Sequence, residues 1–267
     1  MNPNNLGPRI IFTLAGGKIA ITESTCYSII LATILAILGI WLGSGLKKIP
    51  KGKQVIAEAI VSWVYNFAEE NLGKEDGRRY APFLGTLIIW LIFANSLGLL
   101  GLRPITADID ITTGIAIVSF VVIQVGALKK LGPKGRLDEM CDPYVFMFPM
   151  DIISAIVLPV TLALRLFGNI FGGMIVVDMW LNFMGGISDK LCGVPFLRIA
   201  TGIPLNLFFD IFEPLVQAYI FVILTAANLK SARAGINPET VRERQEKKRL
   251  KRERKAAKKP RASGDVV

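Results

Sequence analysis

The chain has 267 residues, 52% of them hydrophobic, and a net charge of +10 from 31 lysines and arginines against 21 acids. It has no histidine, and its three cysteines, Cys26, Cys141 and Cys192, are scattered without a CxxC spacing. Metal sites and disulfide frameworks are therefore not expected. Several apolar runs approach the roughly 20 residues that cross a bilayer. The composition thus excludes an ordinary soluble domain and predicts an all-α integral membrane protein.

Five membrane-embedded helices are predicted, together with one helix on the membrane surface. The apolar runs cover residues 26–43, 81–100, 112–128, 150–184 and 201–229. Residues 54–72 have apolar side chains at helical spacing but include three glutamates, which suits an amphipathic interfacial helix. Asp110 or Thr112 is expected to cap the third span. The first 25 residues hold no continuous apolar stretch, so we expect no cleavable signal peptide.

Lysines and arginines are distributed unevenly between the polar segments. Residues 44–80, 129–142 and 230–267 carry seven, four and fourteen of them, whereas residues 1–25, 101–111 and 185–200 carry five together. The positive-inside rule therefore predicts a multi-pass protein of the cell membrane with its N-terminus outside and its C-terminus in the cytoplasm. The chain divides into an outside segment (1–25), a membrane domain (26–230) and a basic cytoplasmic tail (231–267).

This charged C-terminal extension has almost no large apolar residues after residue 230. Nucleic-acid binding is one interpretation of such a tail. Because no aromatic side chains are interleaved with its charges, contact with anionic lipid headgroups or an acidic neighbouring subunit is favoured. No nucleic-acid partner is therefore expected.

A single arginine, Arg165, lies at the centre of the long apolar run 150–184. A guanidinium stays charged, so at bilayer depth it needs a carboxylate, a polar neighbour or water. The alternative is an interfacial position from which the side chain snorkels. Asn169 lies one turn further on the same helical face. Asp178 lies about 20 Å along the helix on another face, so it is not expected to pair with Arg165.

The last span carries a polar stripe of Asn206, Asp210, Glu213 and Gln217, at intervals of four, three and four residues. Polar side chains in a membrane helix can simply hold helices together. Two acids in one stripe favour instead a proton relay or an aqueous channel, because a carboxyl group can both accept and release a proton.

Three motifs in this sequence resemble those of one family. Residues Leu162 to Gly173 (LALRLFGNIFGG) resemble the signature of the a subunit of rotary F-type ATP synthases. Residues Gln217 to Thr225 (QAYIFVILT) look like that family's last-helix motif, and residues 104–113 (PITADIDITT) are similar to its PTADxNxT loop. The resemblance covers about residues 6–230. It implies that the last two long helices pack against a rotating c-ring that Arg165 faces.

The resemblance also implies a function and partners. Arg165 would exchange ions with the c-ring carboxylates, and ions would move through two offset half-channels that do not meet. Together with the polar stripe, it makes these residues candidates for lining the half-channels: Asn169, Asp178, Asn206, Asp210, Glu213 and Gln217. The chain would be a non-catalytic proton-channel subunit without a cofactor or metal. Its partners would be the c-ring, the b subunits of the peripheral stalk and the lipid bilayer.

The sequence departs from the family at one functional position. Members usually carry an acid or a histidine nine residues after the arginine, where this chain has Met174. Asp178, one turn further on, is predicted to replace that acid; the alternative is a carboxylate at headgroup level. Asp210 occupies a position where members carry histidine or an acid. The basic tail has no counterpart in the family's motifs.

Two functions from other classes remain alternatives. A secondary transporter would bind an anionic substrate at Arg165, but it would be expected to show internal repeats and pairs of broken helices, which we do not find in the sequence. A structural membrane anchor would use its tail to recruit a partner. Neither alternative explains the motifs that resemble this family. The identity of the ion, H⁺ or Na⁺, would depend mainly on the c-ring.

Overall fold

The computed structural model describes residues 10–14, 19–45, 47–140, 148–192 and 196–234. Its strands and helices, in chain order, are β1 (Ile10–Leu14), β2 (Ile19–Thr22), α1 (Glu23–Gly43), α2 (Lys53–Leu72), α3 (Lys74–Asn95), α4 (Ile109–Met140), α5 (Phe148–Cys192), α6 (Phe196–Leu207) and α7 (Glu213–Ala234). Short 3₁₀ helices cover Ser96–Leu100 and Ile105–Ala107, and a π-helical turn, Phe208–Phe212, joins α6 to α7.

Within these described residues, five helical segments are long and apolar enough to cross a membrane: Glu23–Gly43, Lys74–Leu100, Ile109–Pro133, Phe148–Lys190 and Phe196–Ala234. The helix α2 is not among them, as its three glutamates predicted. The predicted class, an all-α membrane protein with five embedded helices, is therefore confirmed. The small antiparallel hairpin β1–β2 that precedes α1 was not predicted from the sequence. The tail beyond residue 234 lies outside the described residues.

A tight hairpin joins α2 to α3 at Gly73, where φ is +86°. Only glycine adopts this backbone conformation without strain. The two helices then lie close together, because a Cβ atom on Gly77 would be 2.6 Å from the Cα of Glu69 and one on Gly85 would be 2.5 Å from Val64. One side of α2 is thereby buried, while Ile56, Val61 and other apolar residues stay exposed on its other side.

The core lies where α3, α4, α5 and α7 meet, with one side of α2 added. Alanines that are almost completely buried on α3 and α7 let these helices approach closely, a common device where helices pack inside a membrane. Larger buried side chains fill the space between them: Leu84, Ile88, Leu91, Ile123, Leu166, Phe221, Val222 and Leu229.

The start and end of α4 differ from the prediction. The backbone N–H of Asp110 donates to Asp108 Oδ1 over 3.2 Å. Asp108 is therefore the residue that caps the first turn of α4, in place of the predicted Asp110 or Thr112. The helix begins earlier than residue 112, which moves the cap with it. Helical structure also continues past Lys130, and only Gly132, at φ +73°, interrupts it before Met140. Residues 129–142 were predicted to be a polar segment between helices, whereas Gly132 and Pro133 make a kink within helical structure.

The helix α5 is longer than the predicted span. Its 45 residues correspond to about 65 Å, roughly twice the hydrocarbon thickness of a bilayer. A helix of this length fits a membrane only if it is strongly inclined or extends beyond it. The segment 185–192, predicted as a loop, is part of this helix.

Candidate functional site

Arg165 points away from the core. Leu162, Ala163 and Leu166 are buried on one side of α5, whereas Arg165, Asn169 and Leu164 are exposed on the other side. The guanidinium of Arg165 forms no hydrogen bond or salt bridge with any residue that the structure describes. The neighbouring surface of α5 is apolar and equally exposed, with Ile156, Val160 and Leu164 between 51% and 61% exposed. This arginine is therefore available to a group outside the chain.

A cavity of about 490 Å³ lies between the end of α3, the second half of α5 and the α6–α7 junction. We call it the carboxylate cavity because Asp178, Asp210 and Glu213 line it. Its other polar lining residues are Asn95, Arg103 and Asn206, and Met174 lies on the same wall as Asp178. The cavity thus brings together the acid of α5 and the two acids of the last span. The cavity is large enough to hold several water molecules beside these acids.

The α6–α7 junction owes its shape to the π-helical turn Phe208–Phe212, which contains Asp210. A π turn inserts an extra residue into the helix and rotates the turns after it, and such turns are frequent at functional sites. It places Asn206, Asp210 and Glu213 at the cavity, whereas Gln217 is not part of the lining. The predicted stripe is therefore only partly at the cavity, because Gln217 lies one turn beyond Glu213 on the regular helix α7 and contacts Asn169 of α5.

Two glycines lie directly against the two acids. A Cβ atom on Gly98 would be 2.5 Å from Oδ1 of Asp210, and one on Gly173 would be 2.9 Å from Oε2 of Glu213. Both carboxyl groups are therefore seated against bare backbone. The absence of a side chain at these two positions makes room for the acids in the cavity.

Asn169 and Gln217 form a separate contact between α5 and α7. Asn169 Nδ2 donates to Gln217 Oε1 over 2.6 Å. Gln217 is only 2% exposed, and its Nε2 has no partner among the described residues. This pair joins the two long helices one turn beyond Arg165.

A second cavity, of about 240 Å³, lies near the opposite ends of α5 and α7. We call it the Asp151 cavity. Its polar lining consists of Gln124, Arg136, Asp151, Ser154, Asn228 and Ser231. Arg136 Nη2 donates to Gln124 Oε1 over 3.2 Å, a contact that the kink at Gly132 makes possible by turning the chain back over α4.

Arg165 lies between the two cavities along α5. The Asp151 cavity reaches Leu158, seven residues before Arg165, and the carboxylate cavity begins at Ile170, five residues after it. At 1.5 Å per residue, these are separations of about 10 Å and about 8 Å along the helix. The two cavities share no lining residue.

The structure therefore brings together four of the six predicted half-channel residues, Asp178, Asn206, Asp210 and Glu213, and pairs the other two, Asn169 and Gln217, with each other. From the sequence, none of the residues that line the Asp151 cavity was assigned to a site. Its polar residues are spread over three helices without a common motif, although Asp151 and Asn228 are polar interruptions of apolar runs and could have been noticed. Asn95, 1% exposed and lining the carboxylate cavity, was also not assigned.

Among the residues that the structure describes, no group of three or more His, Cys, Asp or Glu side chains could hold a metal ion. Cys26 has a free thiol. Cys141 and the side chain of Cys192 lie outside the described parts.

Comparison with known proteins identifies the family. Residues 25–230 match the ATP synthase A chain family. Over 204 residues the chain is 35% identical to ATP synthase subunit a of Moorella thermoacetica, which covers 76% of this chain and 87% of the relative. It is 30% identical to ATP synthase subunit a 2 of Bradyrhizobium sp. over 217 residues, 81% of this chain and 91% of the relative.

These matches and the five apolar helices make the chain a multi-pass membrane protein, a component of the synthase complex with a role in ATP synthesis and ion transport. Such a component associates with other subunits of the synthase. The chain belongs to the family of ATP synthase subunit a, in the membrane-embedded Fo sector of F-type ATP synthase.

Proposed function

We propose that the chain is the ion-translocating stator subunit of the synthase, itself non-catalytic, which passes protons or Na⁺ to and from carboxylates on a rotating c-ring. One observation carries this proposal: Arg165 is exposed on an apolar helix face, without a partner in the described chain, and lies between two separate polar cavities. A charge left exposed in this way at membrane depth is expected to meet a charged group on another subunit.

Each cavity serves as one half-channel in this proposal. The carboxylate cavity, with Asp178, Asn206, Asp210 and Glu213, connects one side of the membrane to the c-ring beside Arg165. The Asp151 cavity connects the other side. The cavities share no lining residue, which supports two paths without a direct passage between them. An ion has to leave the first cavity on a c-ring carboxyl group and reach the second by rotation of the ring.

Arg165 couples this transfer to the movement of the ring. A c-ring carboxyl group has to be neutral while it faces lipid, and it can ionise only where water or a cation stabilises its charge. The guanidinium stabilises the ionised form, so a carboxyl group gives up its ion as it reaches Arg165. The permanent positive charge also repels cations that would otherwise cross between the cavities. Each charge that crosses 100 mV contributes about 2.3 kcal/mol, which is available as torque on the ring.

The Asn169–Gln217 contact keeps α5 and α7 in register beside Arg165. In this proposal it is a positioning contact and not a part of either aqueous path, because Gln217 is buried and belongs to neither cavity lining.

The remaining partners and the orientation follow from charge and from the family. The exposed apolar sides of α1 and α2 are available to lipid and to the b subunits of the peripheral stalk. The positive-inside distribution supports a C-terminus in the cytoplasm, with the complex in the plasma membrane. The carboxylate cavity then opens outside, and the Asp151 cavity opens inside.

Cysteine accessibility tests the two paths. In a chain with Cys26, Cys141 and Cys192 replaced by serine, single cysteines at Asn206 and Asp210 should react with an impermeant thiol reagent added outside. A cysteine at Ser154 should react with the same reagent added to the cytoplasmic side.

Two positions provide controls. Cysteines at Ile220, an exposed residue of the apolar surface, and at buried Gln217 should react poorly from either side. If all three cavity positions are protected, or if all react from the same side, the two-path proposal is wrong.

A further inference from the structure

The end of α7 that borders the Asp151 cavity carries an arginine that is only 4% exposed, Arg233. Its guanidinium lies in a socket formed by α3 and α4. Nη2 donates to Asp76 Oδ1 over 2.5 Å and Nε donates to Asp76 Oδ2 over 3.2 Å, while Nη1 donates to Tyr80 Oη over 3.0 Å and to the carbonyl oxygen of Gly126 over 2.7 Å. One side chain of α7 thus holds two neighbouring helices.

The socket fits a guanidinium closely. The planar fork of arginine matches both oxygens of Asp76, and the centre of the guanidinium lies 5.1 Å from the centroid of the Tyr80 ring. At Gly126, a Cβ atom would be 2.8 Å from Tyr80 Oη and 2.9 Å from Leu229, so a side chain there would force these groups apart. Lys130 adds a second cation on Asp76 at 3.2 Å. Arg233 thus shares the Asp76 carboxylate with Lys130, and each of its three guanidinium nitrogens has an acceptor.

The other side of the same helical turns lines the Asp151 cavity. Ala226, Leu229 and Arg233 are buried against α3 and α4, whereas Asn228 and Ser231 line the cavity. On a helix with 100° per residue these two sets of residues lie on roughly opposite sides. Rotation of the last turns of α7 about the helix axis would therefore turn the polar side chains away from the cavity.

We infer that Arg233 is a positioning residue: its socket sets the rotation of the last turns of α7 and so holds Asn228 and Ser231 at the Asp151 cavity. Apolar packing alone specifies this rotation weakly, because the adjoining residues of α7 include the small Ala226, Ala227 and Ala232. The directional hydrogen bonds of the guanidinium specify it strongly. The consequence for ion flow rests on the proposed function, whereas the geometry does not.

The test compares two cysteines on opposite sides of α7 in the assembled complex without native cysteines. A cysteine at Ser231, in the cavity, should react with a small hydrophilic thiol reagent, and one at Ala226, which is 0% exposed, should not. In an Arg233→Met background this contrast should be lost. Arg233→Lys, which keeps the charge but not the fork, should restore part of it, and it serves as the test variant if the methionine variant does not accumulate.

Two controls separate rotation from general loosening. A cysteine at Asn206, in the other cavity, should keep its reactivity in every background. Arg78→Met removes an arginine from an exposed salt bridge with Glu69, and it should leave the 231/226 contrast intact. The inference is wrong if Arg233→Met preserves the contrast, or if Arg78→Met abolishes it equally.

Proton flow through the same membranes separates this inference from the proposed function. A lost contrast accompanied by reduced proton flow supports both. A lost contrast with unchanged proton flow supports the positioning role of Arg233, but it shows that the Asp151 cavity is not the second half-channel.

Discussion

Half-buried acids at the two ends of the helix bundle have opposite surroundings. In the carboxylate cavity, Asp178, Asp210 and Glu213 form no salt bridge with any other described residue, although they lie together around one space. At the opposite end, Asp76 is bound by both Arg233 and Lys130. Acids whose charge is permanently paired stabilise structure, whereas acids around a cavity of this size that form no salt bridge can exchange an ion.

Arg165 lies between these two groups of acids, and its charge has no partner in the described chain. Its replacement should give the largest functional effect: Arg165→Ala is expected to abolish coupled ATP synthesis while assembly persists, since removing an unpaired charge costs the fold nothing. Arg165→Lys should also fail, because lysine lacks the planar fork and can lose its proton when desolvated. Synthesis rates in membrane vesicles measure this.

The matched control for that prediction is Arg198→Ala, which removes an exposed arginine of α6 and should leave synthesis near the wild-type rate. Wild-type synthesis by the Arg165→Ala variant would contradict the role of Arg165.

Removal of the paired acid Asp76 should lower the free energy of unfolding. Asp76→Ala leaves Arg233 buried without its carboxylate, and we expect a loss of about 2 to 4 kcal/mol, a little below the range for a fully buried pair because Asp76 is 17% exposed. Unfolding of the purified protein by a denaturing detergent measures this loss. Glu69→Ala breaks the salt bridge with Arg78, which is 74% exposed, and should cost at most about 1 kcal/mol. Equal losses for the two variants would remove the distinction.

Removal of an acid from the carboxylate cavity should slow ion flow and hardly change the free energy of unfolding. Asp178→Asn is predicted to slow proton flow, and Met174→Glu added to it should recover part of the loss, because both residues line the carboxylate cavity. Proton pumping driven by ATP hydrolysis in vesicles is the measurement. Asp189→Asn removes an exposed carboxyl group of α5 outside the cavity lining and serves as the control. Normal pumping by Asp178→Asn would make Asp178 a headgroup-level residue.

The smallest effect is expected at Gly98. In Gly98→Ala the new Cβ atom, 2.5 Å from the present position of Asp210 Oδ1, should displace this carboxyl group and lower proton flow moderately. Stability should change little, because the end of a flexible side chain can move at small cost. Gly114→Ala, where nothing lies within 4 Å of the new atom, should leave flow unchanged. Identical flow in both variants would show that the exact seat of Asp210 is unimportant.

Individual residues show how far sequence reasoning reached. Arg165 and Asp210 were recognisable because a charge in an apolar run is locally visible and because the surrounding motifs resemble one family. Asp108 was missed as the helix cap, since the first turn of α4 began earlier than the apolar pattern did. The socket of Arg233 was invisible, because Asp76, Gly126 and Arg233 lie on three helices and none belongs to a motif.

The sequence by itself determined the membrane class, the five apolar helices long enough to cross a membrane, the more polar helix α2 and the family. These properties follow from local hydrophobicity, since a segment in lipid has to satisfy its own backbone hydrogen bonds as a helix. Only the tertiary structure decided that the polar residues divide between two cavities on either side of Arg165. That division depends on the π turn at Asp210, the kink at Gly132 and close packing at glycines, which change helix phase and direction in ways that a regular spacing of 100° per residue does not include.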